Sequence, residues 1–378
     1  MTATTLRVDA SYAALSAGNP VARQPRWALH KRPARFFENF DARTLFYDCF
    51  WHDDGQRVIL VGPPWRNLEE TFAAAFFTAL PSRTPVEATA FHSLSVTVTA
   101  IAVPEGTTAL SLDIAGEVIE LPVRPSFTQM LTGRRLLFSI NKDNALDWIA
   151  EWALWHARRH GTEAVILFDN GSTSYVPEAI EATLAAVPGL THVAVPRWPH
   201  AFGPIDPGVL SNNYWSRFLQ ISSLSVVLRR FGERAYGLLD CDVDELAGTR
   251  SGTSIYELAR RSPGGLVAFS GHWIEATGGA RHRDFTQRLV DPKRSRSRPR
   301  KWALDPSRDW VRRLSVHPYW HWIEGRDRRA KTTPDDALYW HYKGINTNWK
   351  EQRSAPPRDR ELEPDDLLAA QWQDLGAI

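Results

Sequence analysis

The sequence predicts an α/β protein, a mostly parallel sheet flanked by helices, preceded by a β-rich, sandwich-like region. Three observations carry this. Up to residue 133 apolar and polar residues alternate with period two between turn signals. From residue 134 short apolar runs alternate with helical patterns, as parallel strands joined by right-handed crossovers require. Two acidic loops, "DNGS" and "DCDVDE", fall where such strands would end, the edge at which open α/β sheets bind ligands.

In the first region, "RTLFYDCFWHDDGQRVILVGPP" reads as a hairpin turning at Asp53-Asp54-Gly55, and "LEETFAAAFFTAL" as one helix inserted between strands. "SLSVTVTAIAVPEGTTALSLDIAGEVIELPV" continues as antiparallel strands with turns at Pro104-Glu105-Gly106 and Gly116. After Gly133, "RRLLFSI" is a strand. "NKDNALDWIAEWALWHARRHG" is a helix that Asn141 or Asp143 can cap and Gly161 can end, with Trp152 and His156 on its apolar face. The strand "AVILF", a helix from about Pro177, the strand "THVAVPRW", a helix over "NNYWSRFLQISSLSVVLRRFG" and the strand "AYGLLD" follow. Then come a short helix at "SIYELARR", the strand "LVAFSGHWIEA", and "KRSRSRPRKW", whose bare Arg/Ser composition predicts a mobile solvated loop. Domain boundaries are expected at 1–133 (β-rich), 134–350 (α/β) and 351–378 (a Pro- and charge-rich tail).

Composition narrows the function classes. A net charge of +2 gives no global reason to expect nucleic acid. Two cysteines in apolar, strand-like contexts predict buried free thiols rather than a disulfide or a zinc site. No secretory pattern and no membrane-spanning apolar run are read, so a cytoplasmic protein without a transmembrane segment is expected, and peripheral membrane contact stays compatible with the sequence. Sixteen tryptophans hint at carbohydrate stacking. Oligomeric state leaves no mark.

"AYGLLDCDVDELAGT" gathers four carboxylates where a buried strand emerges, and like charges so close call for a positive partner. An extended strand would point Asp240, Asp242 and Asp244 to one face and Cys241, Val243 and Glu245 to the other. Such a face suits a divalent cation with oxygen ligands, the plain alternative being a solvated acidic turn. An EF-hand loop is excluded, because Glu245 and Ser251 stand where it needs glycine and an acid. A haloacid-dehalogenase-like phosphatase would use Asp240 as nucleophile and Asp242 as acid, but Asp244 stands where that family has Thr or Val.

"VILFDNGSTS", "LLFSINKDN" and "LLDCDVDEL" resemble, in order and spacing, the strand-end segments of family-2-like glycosyltransferases of the GT-A fold. The chain is most similar to glycosyltransferase family 92 and its bacterial relatives. It shows Asn141, Glu151-Trp152, Trp155-His156, Gly161, Asp169-Asn170-Gly171-Ser172, Asp242-Val243-Asp244-Glu245-Leu246 and His341-Tyr342-Lys343…Lys350 in that family's order. The resemblance covers roughly residues 134–350. It implies a Rossmann-like GT-A sheet and a metal-dependent transfer of sugar, with inversion, from a nucleotide sugar (a UDP-sugar) to a glycan hydroxyl. Asp242, Asp244 and His341 would hold Mn²⁺ or Mg²⁺, with Glu245 in support and Asp240 in doubt. Asn141, Asp169, Asn170 and Asp242 would contact base or ribose, and Lys301 the phosphates. Glu275 in "FSGHWIEATGG" is the candidate general base and Trp273 a candidate acceptor platform, although Trp273-Ile274-Glu275-Ala276-Thr277-Gly278 departs from the family's Trp-x-x-Phe-Gly. The alternative from another class is a non-catalytic glycan- or nucleotide-binding protein on the same scaffold.

Overall fold

The computed structural model describes residues 2–26, 32–206, 208–209, 212–328, 330–347 and 360–375; Lys350 lies outside them. It is an α/β protein with a nine-strand, mostly parallel mixed sheet and N-terminal antiparallel sheets. The large sheet contains β1 (Thr4–Leu6), β2 (Arg135–Asn141), β3 (Ala164–Asp169), β4 (His192–Ala194), β5 (Gly237–Asp240), β6 (Glu245–Thr249), β7 (Leu266–Ile274), β8 (Arg296–Leu304) and β9 (Ala337–Tyr342). Their spatial order is β1-β4-β3-β2-β5-β8-β7-β9-β6. The first five are mutually parallel, β8 runs antiparallel to both neighbours, and β9 is parallel to β7 and antiparallel to β6.

Alternate residues of each central strand enter two different cores, which is why these strands read as unbroken apolar runs. Phe138, Ile166, Leu238 and Trp302 face one cluster; Leu137, Val165, Leu239 and Ala303 face the other. The second face is covered by α1 (Leu146–His160), α2 (Pro177–Ala185), α4 (Ile255–Arg261) and α5 (Asp366–Leu375). The first is covered by α3 (Phe218–Val226) and by one of the N-terminal sheets. That sheet pairs Asp48–Trp51, Arg57–Gly62, Thr97–Ala102 and Ala88–His92, all antiparallel. Its Phe50, Ile59, Val61 and Val98 meet the large sheet's core, while Cys49, Val58, Leu60 and Ile101 share a third cluster with the other sheet. The latter pairs Glu117–Pro122, Ala109–Ile114, Phe76–Leu80 and Thr84–Val86. Its tightest turn puts Ala115 and Gly116 at positive φ (53° and 77°), as a two-residue mirror-image hairpin turn demands. Both cysteines are free and buried.

Four local expectations fail for identifiable reasons. "LEETFAAAFFTAL" is helical only over Arg66–Ala73. Its second half is the strand Phe76–Leu80, whose alternation sends Phe77 inward (5% exposed) and Phe76 outward (72%). The Arg/Ser run is no loop: its first residues close a short helix, Pro292–Ser295, and the rest is β8 inside the sheet, where Ser297 is buried between exposed Arg296 and Arg298, so strand alternation outweighs composition. The helix expected over 212–232 is α3 followed by a π-helical turn, Val227–Gly232. The cap of α1 is Ala145 without a side-chain bond; Asp143 instead accepts from the backbone N–H groups of Thr173 and Ser174 (2.6 and 2.8 Å). Gly161 ends α1 at φ 66°, as read from the sequence.

The N-terminal strand lies in the large sheet, and α5 packs Trp372 on Trp155 of α1 (ring centroids 4.7 Å apart). Among the described residues no helix is long and apolar enough to cross a membrane.

Candidate metal centre and its cleft

Strand β5 ends at Asp240 rather than running on through the acidic stretch. The chain turns back between Asp242 and Glu245, where the Glu245 N–H donates to the Asp242 carbonyl (2.9 Å). Side-chain parity is thereby broken. Glu245 does not point away from the aspartates; its Oε2 accepts from the Asp242 N–H (2.8 Å) and sits among them.

The positive partner is Lys301 of β8. Its Nζ lies 2.8 Å from Glu245 Oε2, 3.0 Å from Asp242 Oδ2 and 3.9 Å from Asp240 Oδ2, with the side chain 1% exposed. Burial alone would push the ammonium's pKa down, but these three carboxylates hold it well above the ordinary lysine value. Burial pushes Asp240 and Glu245 up, against the pull of Lys301. This placement corrects the expected phosphate contact, since Lys301 is already surrounded by carboxylates at the floor of the site.

Asp244, Glu245 and His341 form a group that could hold a metal ion, with one ligand atom from each within 4.8 Å of the others. Strand register explains the meeting: Glu245 opens β6 directly opposite His341 of β9. His341 Nε2 is 3.3 Å from Asp244 Oδ2, and Nδ1 is 3.7 Å from Glu245 Oε1. Trp273, opposite His341 on β7, stacks on the imidazole (4.0 Å, 22°). A set of two carboxylates and one imidazole suits a divalent cation. Glu245 thus joins the ligand group rather than supporting it from behind, while Asp242 is engaged by Lys301 and by the Ser139 hydroxyl (3.2 Å).

The turn is braced from behind. His282 bonds the Val243 carbonyl through Nε2 (2.8 Å) and lies 3.6 Å from Glu151 on α1, whose carboxylate also meets Arg283 (2.5 Å). The Ala247 carbonyl on β6 accepts from Trp155 Nε1 (2.6 Å) and His160 Nε2 (2.9 Å), and the Ala247 N–H donates to His156 Nε2 (3.2 Å). Glu151, Trp155 and His156, part of the family-like pattern, therefore locate the strand that follows the acidic turn.

Asp242, Asp244, Glu245 and His341 line a cleft of about 240 Å³ that also presents Lys142, Arg217, Trp320, His321 and Asn346. Lys142 is held by the carbonyls of Asn170 and Gly171 (3.1 and 3.0 Å), and burial pulls the pKa of His321 down to about 4. Lys142 stands in "LLFSINKDN", at the end of β2, while nothing in the sequence singles out the other four, because segments distant in the chain deliver them. Asn141, Asp169 and Asn170 do not line this cleft. Asp169 accepts from Asn141 Nδ2 (3.0 Å) and from the Ser172 N–H (3.1 Å), while Asn170 donates to the carbonyls of Trp198 and His200 (2.7 and 2.9 Å). They shape the loop that positions Lys142. Glu275 is 1% exposed, lies outside the cleft lining and is ion-paired with Lys343 (2.6 Å), so the geometry brings no base from that position. Asp240, 3% exposed, does not line the cleft either, which leaves a phosphatase without an accessible nucleophile.

No protein-family model matches the chain, and no curated protein matches it.

Proposed function

We propose that the protein is a metal-dependent glycosyltransferase of GT-A type, taking a nucleotide sugar, a UDP-sugar by the resemblance above, as donor and a glycan hydroxyl as acceptor. The observation that carries this is the convergence of Asp244, Glu245 and His341 on a cleft beyond the carboxyl ends of parallel strands. Asp244, Glu245 and His341 would hold Mn²⁺ or Mg²⁺, the imidazole favouring Mn²⁺. The ion would supply Lewis-acid neutralisation of charge on a leaving diphosphate. Lys142 and Arg217 give the cleft cationic groups suited to phosphate oxygens. Trp320 offers an aromatic wall on the same cleft. Lys301 ties Asp242 and Glu245 together (3.0 and 2.8 Å), so the ligand group is held in place before any cation arrives.

The test is calorimetric titration with Mn²⁺, followed by thermal unfolding with UDP, GDP, ADP, CDP and dTDP with and without the metal. A diphosphate at 100 times its Kd adds about 2.7 kcal/mol. With an unfolding entropy of roughly 0.8 kcal/mol/K for 378 residues, the midpoint should rise by about 3 °C, in the presence of metal only. Asp244→Asn should weaken Mn²⁺ binding by more than about 100-fold, beyond the range for residues that merely orient ligands, and should abolish metal-dependent UDP release from sugar nucleotides. Unchanged ligand binding in that variant would favour the non-catalytic binding protein. No diphosphate response with metal present sinks the transferase.

A further inference from the structure

Residues Tyr319 to Trp322 form the turn of a short hairpin in which His317–Pro318 pairs with Ile323–Glu324. The Tyr319 N–H closes it on the Trp322 carbonyl (2.8 Å). Its exit needs Gly325, at φ 75°, where an added Cβ would lie 2.4 Å from the Ser315 carbonyl oxygen. The turn faces two ways. Trp320 and His321 line the metal cleft, while Trp322 lines a neighbouring depression of about 470 Å³ together with Leu94, Glu324, Arg326 and Arg328.

Trp322 is 38% exposed, and it is the one tryptophan among the exposed large hydrophobic residues described. It is nonetheless held firmly. Its ring stacks flat on Tyr319 (4.5 Å, 13°), and Tyr319 is 1% exposed. The Tyr319 hydroxyl meets Ser93 Oγ (2.5 Å) and the Ser95 N–H (3.2 Å), and its carbonyl accepts from Trp302 Nε1 (2.6 Å). The same Ser93 hydroxyl donates to the exposed carboxylate of Glu324 (2.5 Å). An indole stacked on a buried tyrosine, partly exposed and lining an open hollow with a carboxylate and two arginines, fits a pyranose. The sugar's C–H face lies on the ring, and its hydroxyls reach acceptors and donors at the edge. The Trp320 and Trp322 rings are 6.1 Å apart, so one side of the turn lies about one sugar unit from the other.

We propose that this hollow is a carbohydrate subsite, with Trp322 as platform, that holds a pyranose of a glycan chain while the adjoining units pass over the Trp320–His321 tip into the metal cleft. That the glycan is an acceptor rests on the transferase reading; that the hollow binds sugar does not. The acceptor class that follows is an oligosaccharide or longer glycan rather than a monosaccharide or a small aglycone.

The experiment uses the full chain, saturation-transfer NMR and calorimetry, with malto-, cello-, laminari-, manno- and chito-oligosaccharides of two to six units at millimolar concentration. At least one series should bind, more tightly with added units. Trp322→Ala should weaken it by about tenfold, a loss equivalent to 1.4 kcal/mol, and Trp322→Phe should restore most of the affinity. Sugar binding that leaves Trp322→Ala unchanged, or no binding by any series, overturns the proposal. So does a dimer in sedimentation that Trp322→Ala dissociates, since the ring would then cover a second copy. The nucleotide titration separates the two readings. Glycan binding without any nucleotide response removes the transferase and leaves the subsite, whereas a metal-dependent nucleotide response without glycan binding removes only the subsite.

Discussion

Replacing Lys301 by methionine keeps most of the side chain's volume and removes the one ammonium that faces three carboxylates. Breaking a buried ion pair by deleting one partner costs about 3–5 kcal/mol, because the remaining charge stays buried. The side chains of Lys301, Asp240 and Glu245 are at most 4% exposed, so solvent screening reduces their share little, while the pair with Asp242, 38% exposed, is screened and adds little. For 378 residues the unfolding entropy is roughly 0.8 kcal/mol/K, which makes the loss about 4–6 °C in the midpoint. The pH dependence gives a second handle. The folded-state pKa of Lys301 is raised, so its stabilisation is complete below the unfolded lysine value and is lost only as pH climbs through the folded one. From pH 5 to 8 the wild type should keep it in full. In the variant, Asp240 and Glu245 are pushed up by burial with no opposing cation, and the folded state holds protons that the unfolded chain releases. The variant's stability should therefore fall as pH rises above about 4, the unfolded carboxyl value. Its deficit should be smallest near pH 5 and largest near pH 8. Thermal unfolding of both proteins at pH 5, 6.5 and 8, followed by tryptophan fluorescence, measures this. A variant as stable as the wild type at pH 8, with no dependence on pH, would refute the view that this cluster is held by charge.

Two further outcomes follow from buried groups elsewhere. Arg230, in the π-helical turn after α3, reaches Asp48 (2.8 Å) and the Pro125 carbonyl (3.0 Å), with both charged side chains at most 1% exposed. Arg230→Ala should cost about 3–5 kcal/mol in denaturant unfolding, and in combination with Asp48→Ala the loss should be less than the sum of the two singles. His160 is fully buried, with its pKa pulled down by burial to about 4, so below about pH 6.5 the unfolded chain takes up the proton first. Stability should then decline as pH drops from 6.5 to 4, by about 3 kcal/mol from this residue. His160→Gln should flatten that slope in unfolding curves taken at pH 7, 5.5 and 4.5.

The strand–helix alternation was legible because buried parallel strands must be apolar on both faces, and because α1 carries its own stop at Gly161. Asp242, Asp244, Glu245 and His341 were legible too, but the structure arranges them differently. Face assignment from Asp240 to Glu245 assumed a continuing strand, and the turn at Asp242–Glu245 carries no Gly, Pro or Asn to announce it. Lys301 reads as a loop cation because the Arg/Ser composition of its run hides a strand whose second half, Lys301–Leu304, is buried throughout. Asn141, Asp169 and Asn170 do sit at strand ends, yet their polar atoms are spent on one another and on nearby backbone. Trp320, His321 and Arg217 could not have been found, since a side chain on an irregular segment is aimed by contacts formed only after the sheet is assembled.

The threading of the sheet also dictates a timetable. Strand β5 leaves the ribosome with one neighbour, β2, already made, but its other neighbour, β8, is synthesised about sixty residues later, and the strand bearing His341 later still. Until then Asp240 and Glu245 have no lysine to meet, and the edge of β5 lies open to any strand that passes. The acidic turn thus acts as a latch that closes only once β8 has been made. A nascent or truncated chain ending before β8 should be held by chaperones, and occupancy of the Asp244–Glu245–His341 group by a metal would report that synthesis of the sheet is complete.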